Sequence, residues 1–407
     1  METARSDRSG DAPSVAIIGG GGTGIALAHD LAQRGIRVDL FERGELTSGT
    51  TGRHHGQLHS GARYAVGDVE IARECMDEVR ILQVIAPEAL EMNYGLFLAL
   101  SDDDVDYLPT FVDACERAGI PTRTVPMDEA VAMEPGINPA AKAAVLVPDG
   151  TIDAWRLPLS FAASAQAAGA RFHTYHRVEA IEVKNRRAVG VTVHDLVAGT
   201  SRSVAADVVV SAAGPWAAHV AALGGVHIDV TPAPGTMVAF KGRLNNMVVS
   251  HLHPPSDGDI VVPQRELSII GSTQWRTDDP DGITVPAADL EYMRQRGAQL
   301  VPAIGAAEFH AAWAAARPLL GASSDDAEGR ELSRDFGVVD HASEGAQGFF
   351  SILGGKATVL RVMAEIAADD ICRHLGVETT CATRETVLLS HRAFFNPRLN
   401  NMQGRFA

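Results

Sequence analysis

Apolar and polar positions form blocks near the start of the chain, and the blocks have the lengths of short strands and helices. Residues 15–18 are a β-branched apolar run that predicts a buried parallel strand. A glycine-rich turn at 19–24 follows, then an Ala/Leu-rich stretch over 25–33 that predicts a helix, and a second apolar run over 37–41. Together they predict one strand–helix–strand unit that ends at Glu42.

The pattern changes character further along the chain. Residues 47–64 are too rich in Gly, Ser and Thr for a regular element, and from residue 171 the periodicity is mainly that of strands. Helices are predicted over residues 69–84, 105–118, 287–300 and 358–375, and strands over 95–100, 172–175, 178–183, 188–194, 207–211, 237–240, 260–262, 268–271 and 348–353.

Elements of the nucleotide-binding type thus occur early, in the middle and late in the chain. We therefore predict an α/β protein in which a discontinuous Rossmann-like domain is interwoven with an α+β substrate domain that has a mixed or antiparallel sheet. The predicted bounds are 15–93, 151–217 and 335–378 for the first domain, 94–150 and 218–334 for the second, 1–14 for a disordered leader and 379–407 for a C-terminal tail.

Composition narrows the class of protein. The 407 residues can bury a sizeable core, and a chain with 46% hydrophobic and 21% charged residues is not mainly disordered. Lysine and arginine number 35 against 51 aspartates and glutamates, which gives a formal net charge of −16. This acidity disfavours nucleic acid or an anionic lipid surface as the principal partner. An anionic ligand would therefore need a local basic cluster.

Cysteine content and hydropathy predict the cellular location. The four cysteines lie too far apart in the sequence for a CxxC pair, which is typical of a reducing compartment. No apolar run approaches the roughly 18 residues that a membrane-spanning helix needs. The segment 1–14 lacks the apolar stretch of a secretory signal. We predict a cytoplasmic protein, and we predict no metal site.

The glycine-rich turn has the spacing of a dinucleotide-binding fingerprint. Gly19, Gly21 and Gly24 follow a predicted strand and open a predicted helix, and the acidic Glu42 comes directly after the second strand, where the fingerprint requires it. Such glycines allow a tight turn next to a pyrophosphate, and the carboxylate accepts a ribose hydroxyl. We expect an adenine dinucleotide here; a glycine turn without a ligand is the alternative. The predicted cofactor-binding residues of this unit are Gly19, Gly21, Gly22, Thr23, Gly24, Glu42 and Arg43.

A second glycine pair, Gly354 and Gly355, opens another predicted helix near the other end of the chain. An NAD enzyme usually completes its sheet in one continuous run. A helix N-terminus supplied this late in the chain would instead direct its dipole at the pyrimidine edge of a flavin and stabilise the anionic reduced ring. The alternative is an ordinary glycine turn.

Segments spread over about residues 14–382 resemble the FAD-dependent glycerol-3-phosphate dehydrogenases within the D-amino acid oxidase-like flavoproteins, above all the catalytic subunit of the anaerobic bacterial enzyme. The matching segments are residues 51–64, 72–75, 147–153, 255–257, 270–273, 317–319, 333–334, 339–341, 354–356 and 361–365. The resemblance implies an FAD-binding domain and hydride transfer from a secondary alcohol to flavin N5. It implies a small anionic substrate, by default sn-glycerol 3-phosphate oxidised to dihydroxyacetone phosphate, and a quinone or another carrier as electron acceptor.

The resemblance also implies which residues act on the substrate. Guanidinium and ammonium groups suit a phosphate, although each alone would be an ordinary surface ion-pair partner. The matching substrate-binding positions are Arg63, Tyr64, Arg317, Arg334 and Lys356. The predicted catalytic residues are His59, Arg317 and Lys356, with His59 as the base that takes the hydroxyl proton. The alternative is that His54, His55 and His59 only shape the flavin loop.

Further cofactor contacts are implied in the early loop and in two later turns. They are Thr50, Thr51, His55, Gly56, Leu58, Val178, Ala213, Gly214, Gly354, Gly355 and Lys356. Val178 would contact adenine through its backbone, and a plain core valine is the competing interpretation. Covalent attachment of FAD through His54 stays open. We expect His251 and His253 in a solvated loop, and substrate-side groups are the alternative. We expect Trp155, Trp216, Trp275 and Trp313 to be packing residues.

Two features depart from the family pattern. Val359 and Leu360 stand where the family usually has Thr and Tyr. The loss of two hydroxyls beside the flavin or substrate would select a different ligand, so a hydroxyalkylphosphonate or a similar anion stays open as the substrate. An L-2-hydroxy acid or an amine also stays open, because L-2-hydroxyglutarate enzymes share a His-x-Gly loop of the same kind. A flavin-binding subunit without catalysis is a further alternative. The tail over 379–407 carries four arginines against one glutamate. It could dock on the body, on a partner subunit or peripherally on a membrane, or it could fray, and a homodimer stays open.

Overall fold

The computed structural model describes residues 12–320 and 336–396. Nine α-helices lie within these ranges: α1 Gly22–Gln33, α2 Val69–Ile85, α3 Asp102–Arg117, α4 Met127–Met133, α5 Arg156–Ala167, α6 Ala217–Leu223, α7 Ala287–Leu300, α8 Leu360–Leu375 and α9 Arg392–Phe395. The strands of the same ranges are β1 Ser14–Ile18, β2 Arg37–Phe41, β3 Gln57–Leu58, β4 Leu90–Glu91, β5 Gly95–Ala99, β6 Arg123–Val125, β7 Ala143–Val147, β8 Gly150–Ile152, β9 Arg171–His173, β10 His176–Lys184, β11 Arg187–Asp195, β12 Thr200–Ala205, β13 Val208–Ser211, β14 Val230–Lys241, β15 Val248–His251, β16 Ile260–Gln264, β17 Leu267–Gly271, β18 Phe309–Leu320, β19 Phe336–Asp340 and β20 Phe349–Gly354.

A six-stranded sheet carries the first βαβ unit. Its order is β19-β20-β13-β1-β2-β9, and all neighbours pair in parallel except β19 with β20. Alternate side chains of β1 enter different cores: Val15 and Ile17 pack with α1, α5 and α8, whereas Ala16 and Ile18 pack with β10, β11 and α6. Because successive side chains of a strand point to opposite faces, this sheet is covered on both sides.

A mixed sheet of eight strands forms the second unit. Its order is β18-β14-β17-β16-β15-β5-β7-β6, and only β15 and β5 pair in parallel among these strands. One face buries Leu96, Val238 and Ile270 against Met293 of helix α7. The α/β class with a second, mixed sheet agrees with the prediction. The exact domain bounds stay a prediction.

The predicted leader is one residue too long. Ser14 is the first residue of β1, and its backbone N–H and hydroxyl both donate to the carboxylate of Asp207, at 2.9 and 2.7 Å. Residues 1–11 lie outside the described ranges.

The C-terminal segment 379–396 packs on the body of the protein. Cys381 Sγ donates to Asp30 Oδ2 at 3.0 Å, the Leu388 N–H donates to the Ile85 carbonyl at 2.8 Å, and the ring of Phe394 meets Phe172 edge-on. A frayed end is therefore wrong for these residues, whereas 397–407 lie outside the described part. Among the helices that the structure describes, none combines the length and the hydrophobicity of a membrane span.

Candidate functional site

A large cavity lies where the parallel strands of the six-stranded sheet end. Its volume is about 1220 Å³, and it is lined by residues that follow β1, β2, β13 and β20. Ligand cavities are usually about 300–1,000 Å³, so this one has room for more than one small ligand. The carboxyl ends of strands in an open α/β sheet are where such folds bind nucleotides.

The glycine-rich turn is shaped by contacts that a side chain would not allow. Gly19 has φ +113°, and a Cβ there would lie 2.5 Å from the Ala212 carbonyl oxygen. A Cβ on Gly24 would lie 2.1 Å from the Gly19 carbonyl oxygen, so helix α1 packs directly on the turn. Gly21 lines the cavity and is the N-cap of α1. The turn therefore brings a helix N-terminus to the cavity without side chains in between.

Glu42 holds this turn in place. One carboxylate oxygen accepts the Gly20 N–H at 2.7 Å, and the other accepts the Gly44 N–H at 2.8 Å. Thr51 Oγ1 accepts the Gly22 N–H at 2.9 Å. This bond ties the early loop at residues 47–64 to the first turn of α1. The sequence predicts ligand contacts for both residues but not these structural bonds, because they depend on where the chain returns after β2.

The end of the cavity next to β2 contains a stacked cation. The Arg43 guanidinium lies 4.4 Å from the centre of the Trp216 ring and pairs with Asp281 at 2.5 Å. Val178, Ala213 and Gly214 also line the cavity. Trp216 is thus a cavity residue rather than the packing residue expected, and Trp155 is 46% exposed.

Two histidines of the loop at residues 47–64 are held in one tautomer. His54 Nδ1 accepts the Gly56 N–H at 2.8 Å, and His55 Nδ1 accepts the Gln57 N–H at 3.1 Å. Each neutral ring must therefore carry its proton on Nε2. Burial lowers the pKa of His54 to about 4 and the pKa of His55 to about 3. Both rings are neutral N–H donors at neutral pH and cannot take a proton there.

His59 lies within a group of predicted site residues. Its ring is 6.0 Å from that of His55 and 5.4 Å from that of Tyr64, measured between ring centres. Lys356 Nζ lies 5.1 Å from the centre of the Tyr64 ring. The His59 N–H donates to Thr358 Oγ1 at 3.2 Å. The early loop and the segment after β20 thus meet at this point.

The buried side chain of Asp149 holds the early loop at residues 47–64 through hydrogen bonds. Asp149 Oδ1 accepts the backbone N–H and the hydroxyl of Ser60 at 2.7 and 2.6 Å, and Asp149 Oδ2 accepts Gln57 Nε2 at 2.8 Å. Burial raises the pKa of Asp149, while the bonds from Ser60 and Gln57 lower it. Sequence reasoning missed this role, although Asp149 lies in one of the matching segments.

Three of the predicted anion-binding cations line the same cavity. Arg317 on β18 donates to Ser272 Oγ, Lys356 follows β20, and Arg63 Nη2 donates to Asp259 Oδ2 at 3.0 Å. The fourth, Arg334, lies outside the described residues. Three positively charged side chains thus line one cavity of an acidic protein, and an anionic ligand requires such local positive charge.

Not every predicted contact residue reaches the cavity. Gly24, Gly56 and Leu58 do not line it, and Leu58 is fully buried in the core next to α2. The other predicted cofactor positions do line it: Gly19, Gly21, Gly22, Thr23, Glu42, Arg43, Thr50, Thr51, His55, Val178, Ala213, Gly214, Gly354, Gly355 and Lys356.

Val359 and Leu360 have different surroundings. Val359 is fully buried in the core. Leu360 lines the cavity, and its Cδ2 lies 3.3 Å from the position that a Cβ on Gly22 would occupy. Leu360 therefore packs at the glycine turn. The expectation that the pair removes two hydroxyls beside the flavin or substrate stays a prediction for Leu360, whereas Val359 does not line the cavity.

His251 and His253 lie in a half-buried polar cluster rather than in a solvated loop. His253 Nε2 lies 3.1 Å from Asp259 Oδ1 and His251 Nε2 lies 2.9 Å from Asp104 Oδ2. The ligand-type atoms of His251, His253 and Asp259 come within 4.8 Å of one another. Arg296 Nη2 reaches all three residues, at 2.8 to 3.5 Å, so a guanidinium already supplies the positive charge that a metal ion would bring.

The fold and the cavity are those of a dinucleotide-binding oxidoreductase of the flavoprotein type. The chain belongs to the FAD dependent oxidoreductase family, whose model matches residues 14–361. FAD is therefore its cofactor. The resemblance drawn from the sequence motifs is confirmed.

Two curated relatives are similar over almost the whole chain. An anaerobic glycerol-3-phosphate dehydrogenase subunit of Escherichia coli (strain K12) is 41% identical over 384 residues, which are 94% of this chain and 71% of that protein. The subunit of the same name from Haemophilus influenzae is 39% identical over 385 residues, which are 94% of this chain and 68% of that protein.

Solved structures with lower identity share the fold. Glycine oxidase from Geobacillus kaustophilus has a TM-score of 0.73 and 24% identity, with coverage of 92% of this chain and 97% of that chain. The glycerol-3-phosphate dehydrogenase from Bacillus halodurans has a TM-score of 0.71 and 22% identity, with coverage of 98% and 72%. Enzymes with different substrates thus share this architecture, so the substrate must be inferred from the site.

The residues present fit FAD. The Gly19–Gly24 turn, which offers backbone N–H groups at a helix N-terminus, would hold the pyrophosphate. Arg43, Val178 and Gly214 would surround the adenosine end. His55, Gly354 and Lys356 line the same cavity and would border the flavin.

Proposed function

We propose that the protein oxidises a small phosphorylated secondary alcohol to the ketone, with sn-glycerol 3-phosphate as substrate and dihydroxyacetone phosphate as product. One observation carries the proposal: a histidine suited to proton removal and three cations line a single cavity, although they come from distant parts of the chain. These residues are His59, Arg63, Arg317 and Lys356. The names of the relatives that are 41% and 39% identical support the same substrate.

The cations would bind the phosphate. Guanidinium groups donate several N–H bonds to phosphate oxygens, and an ammonium group adds a point charge. The site concentrates Arg63, Arg317 and Lys356 in a protein with a formal net charge of −16. This contrast favours an anionic substrate over a neutral alcohol, because local positive potential attracts anions even to an acidic protein.

Oxidation of the alcohol removes a hydride from carbon and a proton from oxygen. FAD, when bound, supplies the hydride acceptor. His59 would take the hydroxyl proton, since a neutral imidazole is a suitable base near neutral pH. His54 and His55 cannot do so, because their Nδ1 atoms already accept backbone N–H bonds and their Nε2 atoms carry the proton. Both would donate hydrogen bonds instead.

The two electrons must then leave the protein. A quinone or another electron carrier would accept them, and the relatives that are named as subunits support a partner chain. A cytoplasmic location, with peripheral contact to a membrane or to that partner, stays part of the proposal.

An anaerobic absorption spectrum of the purified protein, recorded before and after addition of sn-glycerol 3-phosphate, tests the proposal. We expect the oxidised flavin bands to bleach and to return when a quinone analogue is added. If the flavin stays oxidised with this substrate, the proposed substrate is wrong. Hydroxyalkylphosphonates and 2-hydroxy acids would then be tried in that order.

Replacement of Arg317 tests the anion-binding assignment. Hydrogen bonds to charged groups contribute about 1.5–3 kcal/mol, which corresponds to a rise of roughly 10- to 150-fold in KM for Arg317→Ala. Arg123→Ala is the control, because Arg123 is also a strand arginine but pairs with Glu129 on the surface. A wild-type KM in the Arg317→Ala enzyme would contradict the assignment.

A further inference from the structure

Asp259 is a heavily hydrogen-bonded side chain next to the cavity, and nothing in the proposed reaction uses it. Its side chain is fully buried. Within the described residues it accepts bonds from Arg63 Nη2 at 3.0 Å, Arg296 Nη2 at 2.8 Å, His253 Nε2 at 3.1 Å and Ser256 Oγ at 2.9 Å, and from the Ser256 N–H. Burial alone would raise the pKa of this carboxyl, but the bonds and the charge of Arg63 hold it well below the usual range, so Asp259 is firmly ionised.

The bond to Asp259 leaves most of the N–H donors of the Arg63 guanidinium available. Arg63 uses only Nη2 in the described part of the chain, for Asp259 and for the Ser256 carbonyl at 3.0 Å. The side chain is 9% exposed and lines the cavity. Nε and Nη1 of Arg63 therefore remain as donors, while the two bonds of Nη2 hold the guanidinium in one orientation. Fixing a donor before the ligand arrives removes an entropy cost from binding.

Arg296 keeps Asp259 from neutralising the positive charge of Arg63. A single carboxylate paired with Arg63 would cancel its charge and weaken its attraction for an anion. Asp259 is shared between two guanidiniums, Arg63 and Arg296, so the three groups together keep a net charge of +1. Arg296 does not line the cavity, whereas Arg63 does. The excess positive charge is therefore presented through Arg63.

Asp259 also fixes the loop that forms one wall of the cavity. Residues 254–257 line the cavity, and Ser256 is bound to Asp259 through its N–H and its hydroxyl. Arg63 comes from the early loop at residues 47–64, which also carries His59. One carboxylate thus ties the 254–257 segment to the early loop.

We propose that Asp259 is a positioning residue for the substrate anion: with Arg296 it holds Arg63 in a binding orientation without neutralising it. The inference rests on the proposed function, because it assumes that Arg63 binds the anionic end of the substrate. It predicts a defect in KM rather than in kcat, since the bonds of Asp259 go to Arg63, Arg296 and the 253–256 loop and not to the proposed base.

The test is a double-mutant cycle on the FAD-loaded enzyme with sn-glycerol 3-phosphate. Asp259→Asn keeps the shape of the side chain and removes its charge. We expect it to raise KM at least tenfold with kcat within about twofold, and to weaken competitive inhibition by inorganic phosphate to the same extent. In an Arg63→Ala background the same substitution should change KM by less than twofold, because neighbouring residues that act through one another are not additive.

Two further variants keep the test decisive. Arg296→Gln leaves Asp259 in place but should raise KM, again only when Arg63 is present. Asp289→Asn is the control, because that carboxylate accepts bonds from the hydroxyls of Thr236 and Thr273 rather than from Arg63 or Arg296. Far-UV circular dichroism and FAD content establish that each variant is folded.

The possible failures are distinguishable. If Asp259→Asn leaves KM unchanged, or raises it equally with and without Arg63, the positioning role is wrong while the proposed function stands. If Arg63→Ala leaves KM unchanged in an active enzyme, Arg63 does not bind the anion and this inference falls alone. If the wild-type protein neither oxidises sn-glycerol 3-phosphate nor binds phosphate, both the proposed function and this inference are wrong.

Discussion

The buried ion pair of Arg361 and Glu78 allows a quantitative prediction about stability. The two side chains are 1% and 3% exposed, and Arg361 donates to both oxygens of Glu78 at 2.6 to 3.2 Å. Arg361 also donates to Glu365 at 2.6 Å and to Thr383 of the C-terminal segment at 3.0 Å. One guanidinium therefore joins α8, α2 and the segment after residue 379.

Replacement of Arg361 by methionine keeps much of the volume and removes the charge. Removing one partner of a buried pair costs about 3–5 kcal/mol, because the other charge is left without compensation. A folded protein is typically stable by about 5–15 kcal/mol, so the Arg361→Met protein should fold but lose a large share of its stability. Arg373→Met on the same helix is the control: Arg373 is 74% exposed, and exposed pairs contribute about 0–1 kcal/mol.

The assay is urea unfolding of the FAD-loaded proteins, followed by far-UV circular dichroism. Burial raises the pKa of Glu78, and loss of Arg361 removes the main influence that lowers it. In the variant the folded state should therefore bind a proton that the unfolded state releases, so its stability deficit should shrink as the pH falls from 8 to 5.5. A second substitution, Glu78→Gln, should recover part of the loss. A cost for Arg361→Met no larger than that for Arg373→Met would refute the reasoning.

Two other outcomes follow from local geometry. Gly24→Ala should abolish FAD retention, measured as the ratio of bound flavin to protein, because the new Cβ would lie 2.1 Å from the Gly19 carbonyl oxygen; Gly305→Ala, whose Cβ would meet only Ala298 at 3.6 Å, should bind FAD normally. The buried histidines should make the protein acid-sensitive. Their folded pKa values of about 4 and 3 lie below the ordinary value of about 6.5, so the unfolded chain binds more protons between these limits and stability falls as pH decreases through this window. The urea midpoint of a His54→Asn variant should depend less steeply on pH between 6.5 and 4, and an unchanged slope would show that His54 is not the titrating group.

The sequence predicts best where apolar runs and local chemistry agree. The βαβ unit over β1, α1 and β2 has two apolar runs, a glycine-rich turn and an Ala/Leu-rich stretch, and the structure places its elements within a few residues of the prediction. Strand β18 was not predicted, because its sequence FHAAWAAARPLL has repeated alanines and no alternation. It is a strand because it pairs with β14 over most of its length. Tertiary pairing of this kind overrides local preference.

Some residues of the candidate site could be predicted from the sequence and others could not. His59, Arg63, Arg317 and Lys356 could be named from motifs because their chemistry is visible in their side chains. Asp259 and Asp149 could not, since an aspartate in a sequence gives no sign of which distant arginine or serine it will hold. The position of Leu360 was unpredictable for a related reason: only the folded chain shows that it faces Gly22.

The order of strands in the six-stranded sheet has a consequence for biosynthesis. The glycine turn at residues 19–24 is synthesised more than 300 residues before β20 (349–354) and the Gly354–Gly355 turn, which complete the cavity. A ribosome makes about 5–20 residues per second, so the nascent βαβ unit waits for tens of seconds before its neighbours exist. FAD can be bound at both ends only after β20 has paired with β13. FAD binding at both ends must therefore wait until β20 has been synthesised. Only chains whose distant segments have already assembled can then retain the cofactor.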